Sequence, residues 1–129
     1  MKPIHQTKFD TEGNCFAACV ASLLELSLES LPNFCVEKDW PQNFENWCLQ
    51  KNLRYLEMKF CQDITPPNIY CIITGPSPRS KNLDHCVIGL GEKIIHDPHP
   101  DNTGLRGTKP FWSFGYFTIE DPAKLLNLF

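Results

Sequence analysis

Between Cys15 and Leu26 the chain carries apolar side chains at nearly every position, Phe16, Val20, Leu23 and Leu24 among them. A helix that is apolar almost all round does not lie on a surface; the rest of the chain has to enclose it. Gly13 and Asn14 stand before it as turn and cap, Asn being a favoured N-cap residue. The fold is therefore expected to be assembled around this segment. A chain of 129 residues supplies one compact domain, 1–129, with a core large enough to do so.

The cover is legible in the changes of hydrophobic period. "SLESLPNF" reads as a short turn of helix stopped by Pro32. Over Pro41–Lys51, Phe44, Trp47 and Cys48 fall at i, i+3 and i+4 while Asn43, Glu45 and Asn46 face away, which predicts an amphipathic helix with Pro41 in its first turn. From Leu53 the period shortens. "LRYLEMKF", "IYCIITG", "HCVIGLG", "KIIHDP" and "FWSFGYFTI" read as strands, the third and fourth forming a hairpin about Gly91-Glu92. "DPAKLLNLF" reads as a closing helix capped by Asp121. Helices first and consecutive strands afterwards predict an α+β fold, its central helix packed on a mostly antiparallel sheet.

Composition narrows the function classes. Apolar residues make up 42% and charged residues 21%, the balance of a globular chain rather than a disordered one. A net charge of −3 with no Lys/Arg-rich run gives no electrostatic case for nucleic acid, so peptides, proteins or small molecules are the expected partners. No stretch approaches the ~18 consecutive apolar residues of a membrane span, and "MKPIHQTKFD" lacks the apolar core of a secretory signal. Seven cysteines, an odd number, are then expected to be mostly reduced thiols in a cytoplasmic protein.

Cys15 opens the buried helix. Unpaired N–H groups and the positive end of the helix dipole favour a thiolate there, and a neighbouring histidine would make it the attacking species. The competing reading is a small buried side chain, which suits Cys19, one turn further in. A nucleophile needs a base, and the base an orienting group. Of the four histidines, His5 lies in a polar terminus, His85 leads a strand, and "IIHDPHP" offers Asp97 at a strand end. Strand parity sets a condition. A two-residue hairpin loop would place His85 and Asp97 on opposite faces, so a partnership between them demands an odd loop or a bulge.

Gln6, "NCFAAC", "HCVIGL" and "IIHDP", in that order, resemble the papain-like cysteine peptidases, and among these the bacteriocin-processing peptidase domains of ABC exporters and their stand-alone relatives. The resemblance spans Gln6 to Pro98. It implies a papain-like fold and a thiol hydrolase acting on a peptide or isopeptide amide, with Cys15 as nucleophile, His85 as base and acid, and Asp97 as its orienter. It also implies an oxyanion held by the Cys15 N–H and a side-chain amide. The family's glutamine stands six residues before its cysteine, whereas Gln6 stands nine before Cys15. Either three residues bulge out around Asp10 to Gly13, or Asn14 supplies the amide. The same residues would serve an acyltransferase or deamidase, or a non-catalytic module whose cleft only holds a peptide.

Other patterns are weaker. Cys15, Cys19, His96 and His99 are zinc-type ligands, but the cysteine pair lies inside an apolar helix, so no metal or cofactor is expected. His96 alternates with Asp97 and should face away from His85. His99, between two prolines, reads as a loop residue that could border a groove. Arg79 and Lys81 lie on a loop expected to rim the cleft. Phe111, Phe117, Trp40 and Trp47 read as packing residues.

Overall fold

The structure, a computed structural model, describes residues 1–63 and 66–126. The apolar run forms α1 (Cys15–Leu24), buried continuously from Phe16 to Ser22. It stops two residues short of the expected end. Glu25 turns left-handed at φ 56°, and the Leu26 N–H returns to the Ala21 carbonyl at 3.0 Å, closing the helix despite the apolar residue that follows. Pro32 separates two 3₁₀ turns, Leu28–Ser30 and Phe34–Val36, the second of which the pattern does not announce. The amphipathic helix is α2 (Trp40–Gln50), with Phe44 and Cys48 buried and Pro41 in its first turn.

Five strands follow: β1 (Leu53–Lys59), β2 (Tyr70–Pro76), β3 (Asp84–Leu90), β4 (Lys93–His96) and β5 (Ser113–Ile119). They form one antiparallel sheet in the order β1-β5-β2-β3-β4, so the last strand made inserts between the first two. The fold is thus α+β, as the order of periods predicts. A short α3 (Pro122–Leu126) closes the described chain, its Ala123 N–H donated to the Asp121 carboxylate at 3.1 Å. Residues 127–129 of the helix expected there lie outside the described residues.

Alternation along the strands divides the core in two. Ile72, Cys86 and Ile88 meet Phe16, Cys19 and Val20 of α1, with Phe34, Phe44 and Cys48 beside them. Cys71, Ile73, Val87, Phe114 and Tyr116 pack on the opposite face, covered by Phe60, Leu105 and Trp112. On the α1 side the Tyr55 phenol lies across Gly115, where a Cβ would overlap it. Phe117, Trp40 and Trp47 border the first core as expected. Phe111 does not pack: it ends a 3₁₀ turn, Lys109–Phe111, before β5 begins, and is 74% exposed. Pro110 sits in that turn and bends the aromatic run out of the strand.

The hairpin between β3 and β4 has a two-residue loop, Leu90 pairing with Lys93 about Gly91, whose φ is +62°. The register then shifts: Gly89 pairs with Ile94 but Ile88 pairs with His96, leaving Ile95 as a bulge. Every residue beyond the bulge changes face. The bulge, not an odd loop, meets the parity condition.

Candidate active site

Asp97 follows the bulge and is 2% exposed. Its Oδ1 lies 2.7 Å from His85 Nε2 and also accepts the His99 N–H at 2.9 Å, while Oδ2 accepts the Gly104 N–H at 2.7 Å. One carboxylate therefore orients the imidazole and shapes the loop that follows β4. Burial works against its charge, but the bonds from His85, His99 and Gly104 hold its pKa below the usual carboxylate value.

Since Nε2 of His85 is taken by Asp97, Nδ1 is the nitrogen left for the hydrogen bond between His85 and Cys15. Burial also opposes a charge on His85. The bonds to Asp97 and Cys15, with the charges on both, still raise its pKa from 6.5 to about 9. Cys15 moves the other way. Hydrogen bonding to the Cys86 thiol outweighs the cost of burial and, with the bond and charge of His85, lowers the pKa from 9.0 to about 5. At neutral pH the pair is a thiolate facing an imidazolium.

Cys15, His85 and Gln6 open onto one cleft of about 740 Å³. Phe16, Trp40, Phe44 and Tyr55 give it an aromatic wall, and Arg79, Ser80 and His99 lie on its polar side. Arg79 does not reach out freely: its guanidinium is held by Asp101 at 3.0 Å and by Thr103 at 2.7 Å. No family model, curated protein or solved structure matches this chain.

The two amides expected near the nucleophile are separated by the structure. Asn14 accepts the N–H groups of Thr7 and Lys8, each at 2.9 Å, and donates to Thr7 Oγ1 at 3.0 Å. Its side chain does not cap α1, contrary to expectation, and its amide fastens the N-terminal segment instead. Gln6 is 7% exposed, lines the cleft, and donates from Nε2 to the Lys8 carbonyl at 2.9 Å. Its Oε1 has no hydrogen-bond partner among the described residues. The three extra residues form a 3₁₀ turn, Asp10–Glu12, pinched at its base by the Asn14 N–H on the Lys8 carbonyl. Lys8 thus ties both ends of the excursion and holds Gln6 at the cleft.

Cys19 is fully buried, and burial raises its thiol well above the ordinary value. His96 points away from the cleft, its Nε2 2.8 Å from the Ile4 carbonyl and its ring edge-on to His5. Among the described residues no three His, Cys, Asp or Glu side chains are grouped to hold a metal ion. His99, read as a loop residue that could border a groove, does so, whereas Cys86 escapes the sequence patterns. His99 lines the cleft with its ring 6.3 Å from that of His85. Cys86 follows His85 in β3 and faces α1 instead. Strand alternation was the available signal for Cys86, since it turns that side chain to the face covered by α1, the helix that Cys15 heads.

Proposed function

We propose that this chain is a papain-like thiol hydrolase that cleaves a peptide or isopeptide amide. The observation that carries the reading is His85 bonded on one side to Asp97 and on the other to Cys15, at the floor of an open cleft. The order of Gln6, "NCFAAC", "HCVIGL" and "IIHDP", which resembles that of the bacteriocin-processing peptidases, supports it independently.

The thiolate attacks the amide carbonyl, and the oxyanion takes hydrogen bonds from the Cys15 N–H, free in the first helical turn, and from the Gln6 amide. His85 gives its proton to the departing amine, leaving a thioester on Cys15. Water then loses a proton to His85 and adds to the thioester; collapse releases the acid and restores the thiolate–imidazolium pair. Asp97 holds the ring in place throughout. An amine entering in place of water would give acyl transfer from the same intermediate. Among the described residues no single helix is long and apolar enough to cross a membrane.

Two measurements test the proposal together. Iodoacetamide at mildly acidic pH should label Cys15 well ahead of the other six thiols. A peptide-ester library should leave a hydroxylamine-sensitive adduct on Cys15 that is absent from Cys15→Ala. Equal labelling of all seven thiols, or no adduct with any ester, would reject the nucleophile. Full biological effect retained by Cys15→Ala would instead favour a cleft that only binds.

A further inference from the structure

Cys86 carries no step of the hydrolytic cycle, yet its side chain lies beside Cys15 and is the largest influence lowering the pKa of that thiol. It is 7% exposed, lies in the same core as Cys15, and borders the same cleft. On its other side it lies 3.3 Å from Thr74 Oγ1. Thr74 thus holds Cys86 from one side while its sulfur shares the core and the cleft with Cys15 on the other.

We propose that Cys86 is a resolving thiol, which captures Cys15 as a Cys15–Cys86 disulfide after a hydroperoxide has oxidised it. In the first step the Cys15 thiolate attacks the distal peroxide oxygen. The S–O bond forms, the O–O bond breaks, sulfur is oxidised to sulfenic acid, and the peroxide leaves as alkoxide or hydroxide, taking a proton from His85 or solvent. In the second step Cys86, losing its proton, attacks the sulfenic sulfur, and the S–O bond breaks with release of water. Each peroxide consumes two thiols and returns one disulfide, one water and one alcohol or a second water. The link holds Cys15 below the irreversible sulfinic stage, and a dithiol reductant restores it.

The other thiols fit this role poorly. Cys19 shares α1 with Cys15 at i, i+4, where Cβ atoms lie about 5–6 Å apart, beyond the ~3.5–4.5 Å that a disulfide needs. Cys35 borders the cleft but touches Cys15 only through charge. Cys48 and Cys71 are buried, and neither is hydrogen-bonded to Cys15.

The proposal rests on the reactive thiol of the hydrolase reading but not on amide cleavage, so its test reads sulfur chemistry alone. The full reduced chain is treated with graded hydrogen peroxide, blocked with N-ethylmaleimide, digested and mapped by mass spectrometry. The expected product is a cross-linked peptide pair containing Cys15 and Cys86, with Cys15 alkylation lost and then recovered in full on adding dithiothreitol. Cys86→Ser keeps a hydrogen-bond donor but cannot form the link. Before oxidation it should alkylate rapidly at Cys15, and afterwards it should carry irreversible Cys15 sulfinic acid. The wild-type map needs no variant, so a poorly folding Cys86→Ser does not weaken it. Cys15 sulfinic acid beside a free Cys86 in the wild type, a Cys15–Cys35 link, or Cys15 unoxidised while other thiols react would each overturn the proposal.

Discussion

His85 has two ring nitrogens, and the site uses both. Asp97 holds Nε2, which leaves Nδ1 to the nucleophile. The opposed shifts, Cys15 down to about 5 and His85 up to about 9, bound the range in which thiolate and imidazolium coexist. Amide cleavage should rise as pH passes about 5, where the thiolate forms, and fall near 9, where His85 loses the proton that the leaving amine needs. Alkylation of Cys15 asks only for the thiolate, so it should rise at the same lower limb and persist above the upper one. Stopped alkylation across this range, set beside peptide turnover, distinguishes the two profiles. In His85→Ala the Cys15 pKa rises part of the way toward 9.0, the Cys86 contribution remaining, and each unit regained lowers the thiolate fraction at mildly acidic pH about tenfold. Its turnover should drop by about 10²–10⁴-fold, the usual contribution of a positioned acid–base group.

The decisive element is the bulge at Ile95. Inserting one alanine between His96 and Asp97 should carry Asp97 one position further past the ladder in which Ile88 pairs with His96, which turns it to the face opposite His85. The expected result is a folded chain in which the His85 pKa, followed by imidazole NMR, falls toward 6.5 and fast Cys15 alkylation is lost. An unchanged His85 pKa would mean that parity does not govern the pair. The sequence carries the residues of this site in plain view, since Cys15 heads an unmistakable buried run and His85 and Asp97 stand at strand ends. Whether the last two meet depends on one extra residue in a strand of ordinary β-formers, and Ile94-Ile95 offers no Gly or other local sign of it. Asn14 was ambiguous for a related reason. Its amide suits a cap, an oxyanion donor or a clamp, and only the approach of Thr7 and Lys8, held by the turn at Asp10–Glu12, selects the clamp. Phe111 reads as strand because aromatic residues continue past it, while Pro110 ends the regular pattern.

Across the whole molecule the two cores share one sheet, and the cleft wall depends on how closely β5 can be approached. Tyr55 lies flat across Gly115 and borders both the cleft and the α1 side of the core. Gly115→Ala should push the phenol outward and destabilise the chain by about 1–3 kcal/mol, the usual cost of overpacking a filled core. Urea denaturation should show a lower midpoint at an unchanged slope. A midpoint equal to that of the parent would mean that Tyr55 moves aside freely.

The place of β5 in the sheet also sets an order in time. During synthesis α1 and its cysteine emerge early, while β1 has no strand to pair with until β5, made about three-quarters of the chain length after Cys15, slides in beside it. The closing of β1 onto the sheet waits for these long-range pairings, which are slow to form. Tyr55 rides on β1 and reaches its seat over Gly115 only then. A ribosome-bound chain that lacks β5 therefore carries Cys15 without its finished aromatic wall, so under the proposed hydrolase reading finished copies would meet unfinished ones whose clefts are still incomplete.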